Sequence, residues 1–365
     1  MHIPFTNLRP GEDAANVEAA IRRVIERGWF VLGPEVEAFE RRFAESCRAG
    51  RSVGVGTGTD ALALILRALG IGRGDEVITT PLSAAYTALA VMMVGARPVF
   101  ADIDPERLTL NPDAVEALVG PGTAAIIPVH LFGQPVEMGR LSAIATRHNL
   151  AMIEDCCQAH LATVDGRPVG SFSVAAAFSF YPTKNLGALG DGGAITTDDA
   201  ELADRLKRLR NGGQTDRYHH VEPGINSRLD EIQAAVLTAR LEFLPRWTER
   251  RRALAAIYRR ELTGAGVDVP PEFDPGHVYH LFPVLSPRRG VLRARLEEEG
   301  IETLIHYPVP IPRQMALSSE SPADCPVADR VCDEIFSLPL HPSMPEDHAV
   351  AVARAIRLAE SSQKG

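Results

Sequence analysis

No run of apolar residues in this sequence is long enough to cross a bilayer, so no transmembrane helix is predicted. The N-terminal stretch MHIPFTNLRPGEDAANV also lacks the basic and apolar blocks that are typical of a secretory signal. We therefore expect a cytoplasmic protein that has no membrane partner.

Cysteine is scarce as well. The five cysteines are an odd number and include no CxxC pair, so neither a disulfide framework nor a cysteine-rich zinc site is indicated. We expect reduced thiols, packed inside the protein, and no bound metal.

Positive charge is also in short supply, with 38 Lys and Arg against 47 Asp and Glu and a formal net charge of −9. This balance argues against general binding to nucleic acid, although a local basic pocket remains compatible with it. With 45% hydrophobic and 23% charged residues, the composition is that of an ordinary globular protein, and 365 residues can form two cores.

From residue 51 onward, short apolar segments alternate with amphipathic ones. The predicted strands are RSVGVG, EVITT, RPVFADI, AAIIPVH, LAMIED and VAAAFSF. Within this pattern, helices are predicted at residues 60–69, 84–94, 137–148 and 199–209. Two further helices are predicted before it, at residues 13–27 and 34–48. Alternation of this kind predicts βαβ units and a mostly parallel sheet.

A long amphipathic segment, which is broken at Pro245, separates this pattern from the rest of the chain. We predict a large domain over residues 1–250 and a small α+β domain over 251–365. In the small domain, HVYHLFPVLS and IETLIHY are predicted strands. Helices are predicted near residues 290–299, 325–336 and 346–360.

The first candidate site is the glycine-rich turn in VGVGTGTDAL, between a predicted strand and a predicted helix. Free N–H groups of this turn, the helix dipole and the Thr59 hydroxyl beside Gly58 would bind a phosphate. One alternative is a tight turn with no ligand. The other is a dinucleotide fold in a nicotinamide oxidoreductase, which is weakened because the last fingerprint position is not glycine.

Two further signals lie at the ends of apolar strands. Asp155 follows LAMIE, at the end of a strand where open α/β sheets bind ligands, although it could instead be a structural cap. Lys184 follows VAAAFSFYPT, and burial among small and apolar neighbours would lower its pKa and provide a neutral amine. The alternative for Lys184 is an ordinary solvated surface lysine.

Together, a phosphate site, a carboxylate and a lysine are what pyridoxal phosphate requires. Its phosphate needs N–H donors, its pyridine nitrogen needs an anion, and its aldehyde needs an amine for a Schiff base. The combination predicts pyridoxal phosphate as the cofactor.

Nearly the whole sequence resembles the DegT/DnrJ-type family of pyridoxal-phosphate aminotransferases, which act on keto sugars linked to nucleotides. The segments that carry the resemblance include GTGTDAL, GDEVITTP, PVHLFGQPVEM, IEDCCQAH, FSFYPTKNLGALGDGGAITT and GINSRLDEIQAAVL. The resemblance implies the α/β fold of fold-type I, with a mostly parallel seven-stranded sheet and a smaller α+β C-terminal domain. FSFYP-x-KNLGALGDGG is similar to the branch that aminates 3-keto-6-deoxy sugar nucleotides.

The resemblance also implies roles for single residues. Lys184 matches the lysine that forms the Schiff base and then carries the proton, and Asp155 matches the partner of the pyridine nitrogen. Gln158 matches the residue that contacts the phenolic oxygen of the cofactor.

Ser179, together with Gly58 and Thr59, matches the ligands of the cofactor phosphate. Asn226 matches a residue that reaches this phosphate from the neighbouring subunit in relatives, so the resemblance implies a homodimer with shared active sites. Where relatives have an aromatic residue stacked on the ring, this chain has Ala84, with Tyr86 two residues further on. We expect that either Tyr86 or a smaller neighbour covers that face.

Five residues are candidates for contact with the sugar nucleotide: His219, His220, Arg228, His306 and Tyr307. Two have specific alternatives, since Arg228 could pair with Glu231 three residues on and His306 could close a strand edge.

The implied reaction transfers an amino group from glutamate or glutamine to a dTDP-3-keto-6-deoxyhexose. Alternatives are amination of a keto cyclitol, or amination at C4 of the sugar. A dehydratase of the same fold would have histidine at Lys184, and a non-catalytic regulator would not need the lysine at all.

Overall fold

A seven-stranded sheet lies at the centre of the structure, a computed structural model that describes residues 2–318 and 321–361. In spatial order its strands are β1 (Arg51–Val55), β9 (Gly193–Thr197), β8 (Ala175–Ser179), β5 (Ala151–Asp155), β4 (Thr123–Ile127), β2 (Glu76–Thr79) and β3 (Arg97–Phe100). Only β9 runs antiparallel to its neighbours, and the other adjacent pairs are parallel. The predicted mostly parallel seven-stranded sheet is confirmed.

Helices cover the sheet at nearly the positions that the sequence predicts. They are α1 (Ala14–Arg27), α2 (Pro34–Cys47), α3 (Gly58–Ala68), α4 (Tyr86–Met93), α5 (Pro112–Leu118), α6 (Met138–His148), α7 (Ala200–Leu209) and α8 (Glu231–Leu241). Apolar residues of α3 pack against β8 and β9 in the largest core cluster. The short helix α5 was not predicted, although Asn111 caps it and Pro112 occupies its first turn.

Beyond α8 the chain forms a second apolar core. Its elements are α9 (Leu244–Leu262), β12 (Phe282–Leu285), α10 (Arg289–Glu298), β13 (Ile335–Leu338) and α12 (Glu346–Ser361). The buried residues of α11 (Pro326–Glu334) belong to a different cluster, which includes Phe100 and Leu131. The predicted break at Pro245 is confirmed, because α8 ends at Leu241 and α9 begins at Leu244. Since α9 continues past residue 250, the boundary between two domains stays a prediction.

Two predictions in this region are wrong. IETLIHY is not a strand: Ile301 and Leu304 each form a single bridge, to Ile3 and Ser337 respectively, so no continuous partner strand is present. The helix predicted near 325–336 ends at Glu334, because Ile335 and the following residues pair with β12 as strand β13. Tertiary pairing overrides the local helical pattern there.

Two short hairpins and two single-turn 3-10 helices, Leu131–Gly133 and Ile311–Arg313, complete the secondary structure of the described ranges. The hairpins are formed by β6 (Thr163–Val164) with β7 (Arg167–Pro168) and by β10 (Gln214–Asp216) with β11 (His219–His220). The buried carboxylate of Glu231, at the start of α8, accepts hydrogen bonds from three backbone N–H groups at the start of α2, those of Gly33, Glu35 and Val36. This contact fixes the N-terminal helices onto α8.

Glu154 precedes Asp155 on β5, and successive side chains of a strand point to opposite faces of the sheet. The contacts of Glu154 therefore fix β5 from the face opposite to Asp155. Glu154 is fully buried and its carboxylate makes four hydrogen bonds, to His130 Nε2, Gly170 N, Phe172 N and Ser173 Oγ. These partners hold the pKa of Glu154 below its usual value, against the opposing effect of burial. These four hydrogen bonds therefore fix the position of the end of β5.

Candidate active site

A cavity of about 620 Å³ opens where β5 and β8 end and α3 begins. Most of the predicted cofactor-binding residues line it, and these are Gly58, Thr59, Tyr86, Asp155, Gln158, Ser179 and Lys184. Residues from strands far apart in sequence meet here because parallel strands end at the same edge of the sheet.

One end of the cavity is the N-terminus of α3. Thr57 caps this helix by accepting a hydrogen bond from Asp60 N, and within the described ranges the N–H groups of Gly58 and Thr59 have no partner. A Cβ at Gly58 would lie 2.7 Å from Cys157 Sγ and 2.9 Å from Ser179 Cβ, so only glycine fits. Free N–H donors, the positive end of the helix dipole and the nearby Ser179 hydroxyl suit a phosphate.

The opposite side of the cavity carries Asp155, which is 5% exposed. Its Oδ2 accepts a hydrogen bond from Thr87 Oγ1 at 2.7 Å, and its Oδ1 accepts one from Cys157 N at 3.1 Å. These two donors stabilise the ionised carboxylate and fix its orientation. Thr87 is not predicted as a site residue from the sequence, because its only local signal is a polar residue in the first turn of an apolar helix.

Lys184 follows β8 in a loop and lines the same cavity as Asp155 and the start of α3. Burial lowers the pKa of its amine, and the nearby Cys157 and Asp155 partly offset that effect. Its side chain makes no hydrogen bond or ion pair with any residue that the structure describes. A lysine in this state supplies more neutral amine at neutral pH than a surface lysine does.

Gln158 connects the cavity to the C-terminal part of the chain. Its Oε1 accepts a hydrogen bond from Phe132 N, and its Nε2 donates to Tyr307 Oη at 3.0 Å. Burial raises the pKa of Tyr307 to about 12. Burial and the charge of Lys184 lower the pKa of the neighbouring His306 to about 4, so this ring is neutral at pH 7.

His306 also contacts strand β13, since its Nδ1 lies 3.0 Å from Ser337 Oγ. Its contact with β13 fits the alternative that it closes a strand edge, and its place near Lys184 is compatible with the predicted contact with the sugar nucleotide, which stays a prediction.

Six of the predicted site residues do not line this cavity. Two of them, His306 and Tyr307, adjoin its residues as described above, and the other four lie elsewhere in the chain. His219 and His220 are exposed on the β10–β11 hairpin, where they contact Asp216 and the Gly212 carbonyl. The predicted alternative for Arg228, a pair with Glu231, is wrong: Arg228 donates to Asn211 Oδ1, because Glu231 is occupied at the start of α2.

The fourth of these residues is Asn226, which is exposed. Its backbone forms a bridge with Asn211, and its side chain has no hydrogen bond to any described residue.

Ala84 and Tyr86, the two residues considered for the face of the cofactor ring, both line the cavity, and Tyr86 is 64% exposed. The thiol of Cys157 lines the same cavity, and burial raises its pKa well above the usual value. Cys157 is therefore a protonated, apolar contact rather than a nucleophile.

One buried group could be mistaken for a metal site, namely His130, Glu154 and Cys156, whose ligand atoms lie within 4.8 Å of one another. His130 Nδ1 accepts a hydrogen bond from Val136 N, so Nε2 carries the proton and donates to Glu154. Burial raises the pKa of the Cys156 thiol well above its usual value. These atoms are engaged with one another and with the backbone, and we interpret the group as structural.

The sequence profile of the DegT/DnrJ/EryC1/StrS aminotransferase family matches residues 12–357. The chain belongs to this family. It is 46% identical to a dTDP-3-amino-3,4,6-trideoxy-alpha-D-glucose transaminase of Streptomyces venezuelae, over 97% of this chain and 95% of that protein. It is 44% identical to a dTDP-3-amino-3,6-dideoxy-alpha-D-galactopyranose transaminase of Aneurinibacillus thermoaerophilus, over 97% and 98% of the two chains.

Among solved structures, that of Streptomyces venezuelae DesV in complex with a ketimine intermediate is similar to this chain, with a TM-score of 0.95 and 46% identity over 98% of this chain and 99% of that one. The predicted fold-type I architecture, the aminotransferase class and the pyridoxal-phosphate cofactor are confirmed by the family membership and the shared fold. Among the described residues, no helix is both long and apolar enough to span a membrane.

Proposed function

We propose that this aminotransferase transfers an amino group from glutamate or glutamine to the keto group of a sugar nucleotide. The observation that carries the proposal is the arrangement of the Lys184 amine, the Asp155 carboxylate and the free N–H groups of α3 around one cavity. The names of the relatives in Streptomyces and Aneurinibacillus support the sugar-nucleotide substrate.

The residues of this cavity suit pyridoxal phosphate, which when bound stores the amino group between the two substrates and withdraws electrons from the reacting carbon. In the proposed arrangement, the N–H groups of Gly58 and Thr59 and the Ser179 hydroxyl donate hydrogen bonds to the phosphate. Asp155 keeps the pyridine nitrogen protonated, and Thr87 holds that carboxylate in place.

Lys184 has two tasks in this proposal. Its neutral amine, which burial favours, binds the cofactor in the resting enzyme. After an amino-acid donor displaces it, the same Nζ moves a proton between the donor α-carbon and the cofactor, as general base and then general acid. The neutral His306 ring, which senses the charge of this lysine, and the Tyr307 hydroxyl, which is hydrogen-bonded to Gln158, are proposed to contact the sugar.

Gln158 is proposed to contact the phenolic oxygen of the cofactor. It can do so without losing its backbone anchor at Phe132 N, because an amide side chain has both donors and acceptors. Tyr86 is proposed to cover one face of the ring, and the neighbouring Ala84 leaves room for it.

A homodimer with shared active sites is part of this proposal. The exposed Asn226 has an unpartnered side chain in the described part of the chain, which leaves it free to reach the phosphate of a second copy. Large apolar side chains are exposed on the surface, as a subunit interface requires; these include Trp29 (55%), Phe30 (49%), Tyr218 (78%) and Val221 (61%). His219, His220 and Arg228 would then belong to the shared site.

We further propose a cytoplasmic location, since all five cysteines are free thiols, as a reducing compartment favours. The finer substrate proposal is a dTDP-3-keto-6-deoxyhexose, because both transaminases named above form dTDP-3-amino sugars.

The test is an amination assay with glutamate over 3-keto and 4-keto sugars linked to dTDP or UDP, with a keto cyclitol as a further acceptor. We expect the highest kcat/KM with a dTDP-3-keto-6-deoxyhexose, and no turnover by Lys184→Ala. Amination of the cyclitol alone, or turnover by the lysine variant, would contradict the proposal.

A further inference from the structure

A second cavity, of about 310 Å³, adjoins the loop that carries Lys184. Thr183 and Lys184 line both cavities, so the reactive lysine forms part of the wall between them. The volume is near the lower end of small-molecule pockets, which range from about 300 to 1,000 Å³. The second cavity therefore suits a small metabolite better than a complete sugar nucleotide.

Arg251, on helix α9, lines this second cavity and is only 6% exposed. Its Nη1 donates to three backbone carbonyls, those of Tyr279, His280 and Leu340, while its buried Nε has no hydrogen-bond partner. No carboxylate of the described chain forms an ion pair with it. A buried cation without an anion is costly, so an anionic ligand would stabilise it.

The acidic residues of this cavity are already neutralised. Asp13 Oδ2 accepts a hydrogen bond from Arg240 Nε at 2.8 Å, and Glu12 forms an ion pair with Arg246. Arg9, which also lines the cavity, is exposed and forms no ion pair with any residue in the described ranges. Arg9 and Arg251 therefore give the cavity two cations that lack a carboxylate partner.

The cavity also adjoins Lys184, the residue that an amino-acid donor must displace. The amine and the α-carboxylate of an amino acid are attached to the same carbon, so a donor amine that replaces the Lys184 amine brings its carboxylate close to that lysine. Lys184 and Arg251 both line this cavity. Burial, followed by the charges of these two residues, lowers the pKa of the nearby His280. A cation for the donor carboxylate is thus available in a cavity that Lys184 also lines.

We propose that this second cavity binds the amino-acid donor, with Arg251 and Arg9 as partners for the two carboxylates of glutamate. The proposal rests on the transamination proposed above and specifies the donor as a dicarboxylic amino acid. The diphosphate of the sugar nucleotide is the competing oxyanion, and the experiment must separate the two.

Glutarate is the probe, because it has the carboxylates of glutamate but neither an amine nor a keto group to react. Its Kd is measured by calorimetry on the cofactor-loaded enzyme, beside that of dTDP, for the wild type and for Arg251→Gln. Arg250→Gln is the matched control, since Arg250 precedes Arg251 on α9 but pairs with Glu346 outside the cavity. We expect Arg251→Gln to weaken glutarate at least about tenfold, as the loss of a charge-assisted hydrogen bond would, and to leave dTDP unchanged.

Arg9→Ala keeps the test decisive if Arg251→Gln fails to fold, because the Arg9 side chain is exposed and makes no hydrogen bond to a described residue. This variant should also weaken glutarate and leave dTDP unchanged. Unchanged glutarate binding in the folded variants, or weaker binding of dTDP instead, would overturn the proposal. Amination of a keto sugar nucleotide by the wild type is measured in parallel, so a failure of the proposed function is seen separately.

Discussion

Gly58→Ala tests whether the start of α3 is the phosphate site. The added Cβ would lie 2.7 Å from Cys157 Sγ and 2.9 Å from Ser179 Cβ, whereas ordinary contacts lie at 3.4–4 Å. Neither neighbour can move far, because Ser179 is the last residue of a central strand and the backbone N–H of Cys157 donates a hydrogen bond to Asp155 Oδ1. The methyl group must therefore displace the first turn of α3, whose free N–H groups face the cavity.

Overpacking of this kind costs about 1–3 kcal/mol. If the whole of this free energy is lost from cofactor binding, because the N–H donors are misplaced, the Kd for pyridoxal phosphate rises by about 5- to 150-fold. Removing the sulfur with Cys157→Ala in the same chain should recover part of this loss, since the Ser179 contact remains. A double-mutant cycle measures that coupling.

The assay is a titration of the apoenzyme with pyridoxal phosphate, followed by absorbance, with circular dichroism to verify folding. Gly139→Ala is the matched control, because Gly139 is in the first turn of α6 with nothing within 4 Å of the added methyl group. It should bind the cofactor like the wild type. If Gly58→Ala does so too, the assignment of this helix terminus to the phosphate is refuted.

Three further predictions concern residues around the site. Thr87→Val removes the hydrogen bond to Asp155 and should lower kcat about tenfold, roughly 1.4 kcal/mol, with little change in the KM for the sugar nucleotide; an unchanged kcat would contradict the positioning role. The pKa of His306 is lowered from 6.5 to about 4 in the folded protein, so the unfolded chain binds this proton more readily and the folded protein loses stability as pH falls from 6.5 to 4. In urea unfolding, His306→Asn should therefore lose less stability between pH 7 and 4 than the wild type. Parallel curves for the two proteins would contradict this role of His306. Glu231→Gln should lower the free energy of unfolding, measured by urea denaturation, by about 3 kcal/mol. The single oxygen of an amide cannot accept all three N–H hydrogen bonds at the start of α2. An unchanged urea midpoint would show that this contact is dispensable.

The parts of the site that sequence predicts are those with a local signal. Asp155 and Lys184 each follow an apolar strand, and Gly58 lies in a glycine-rich turn, so their chemistry and position are visible within a few residues. The parallel strands of the sheet end at one edge because of the βαβ pattern, and this brings the three together. Local patterning therefore predicts both the sheet and the cofactor site.

The contacts that sequence did not predict join distant segments. Thr87 donates to Asp155 across 68 positions, and Gln158 donates to Tyr307 across 149. The sequence places Glu231 three residues after Arg228, yet Glu231 accepts a hydrogen bond from the N–H of Gly33, 198 positions away. Such pairings depend on how the elements pack, which periodicity does not encode.

The buried hydrogen bonds of Glu154 limit how this enzyme can change during evolution. A substitution at this glutamate would release the loop around residues 170–173 and the end of β5 together. Variation in acceptor preference should therefore arise at exposed residues of the cavity lining such as Tyr181, while the strand beneath stays invariant. A directed-evolution library for new sugars is best confined to those exposed residues.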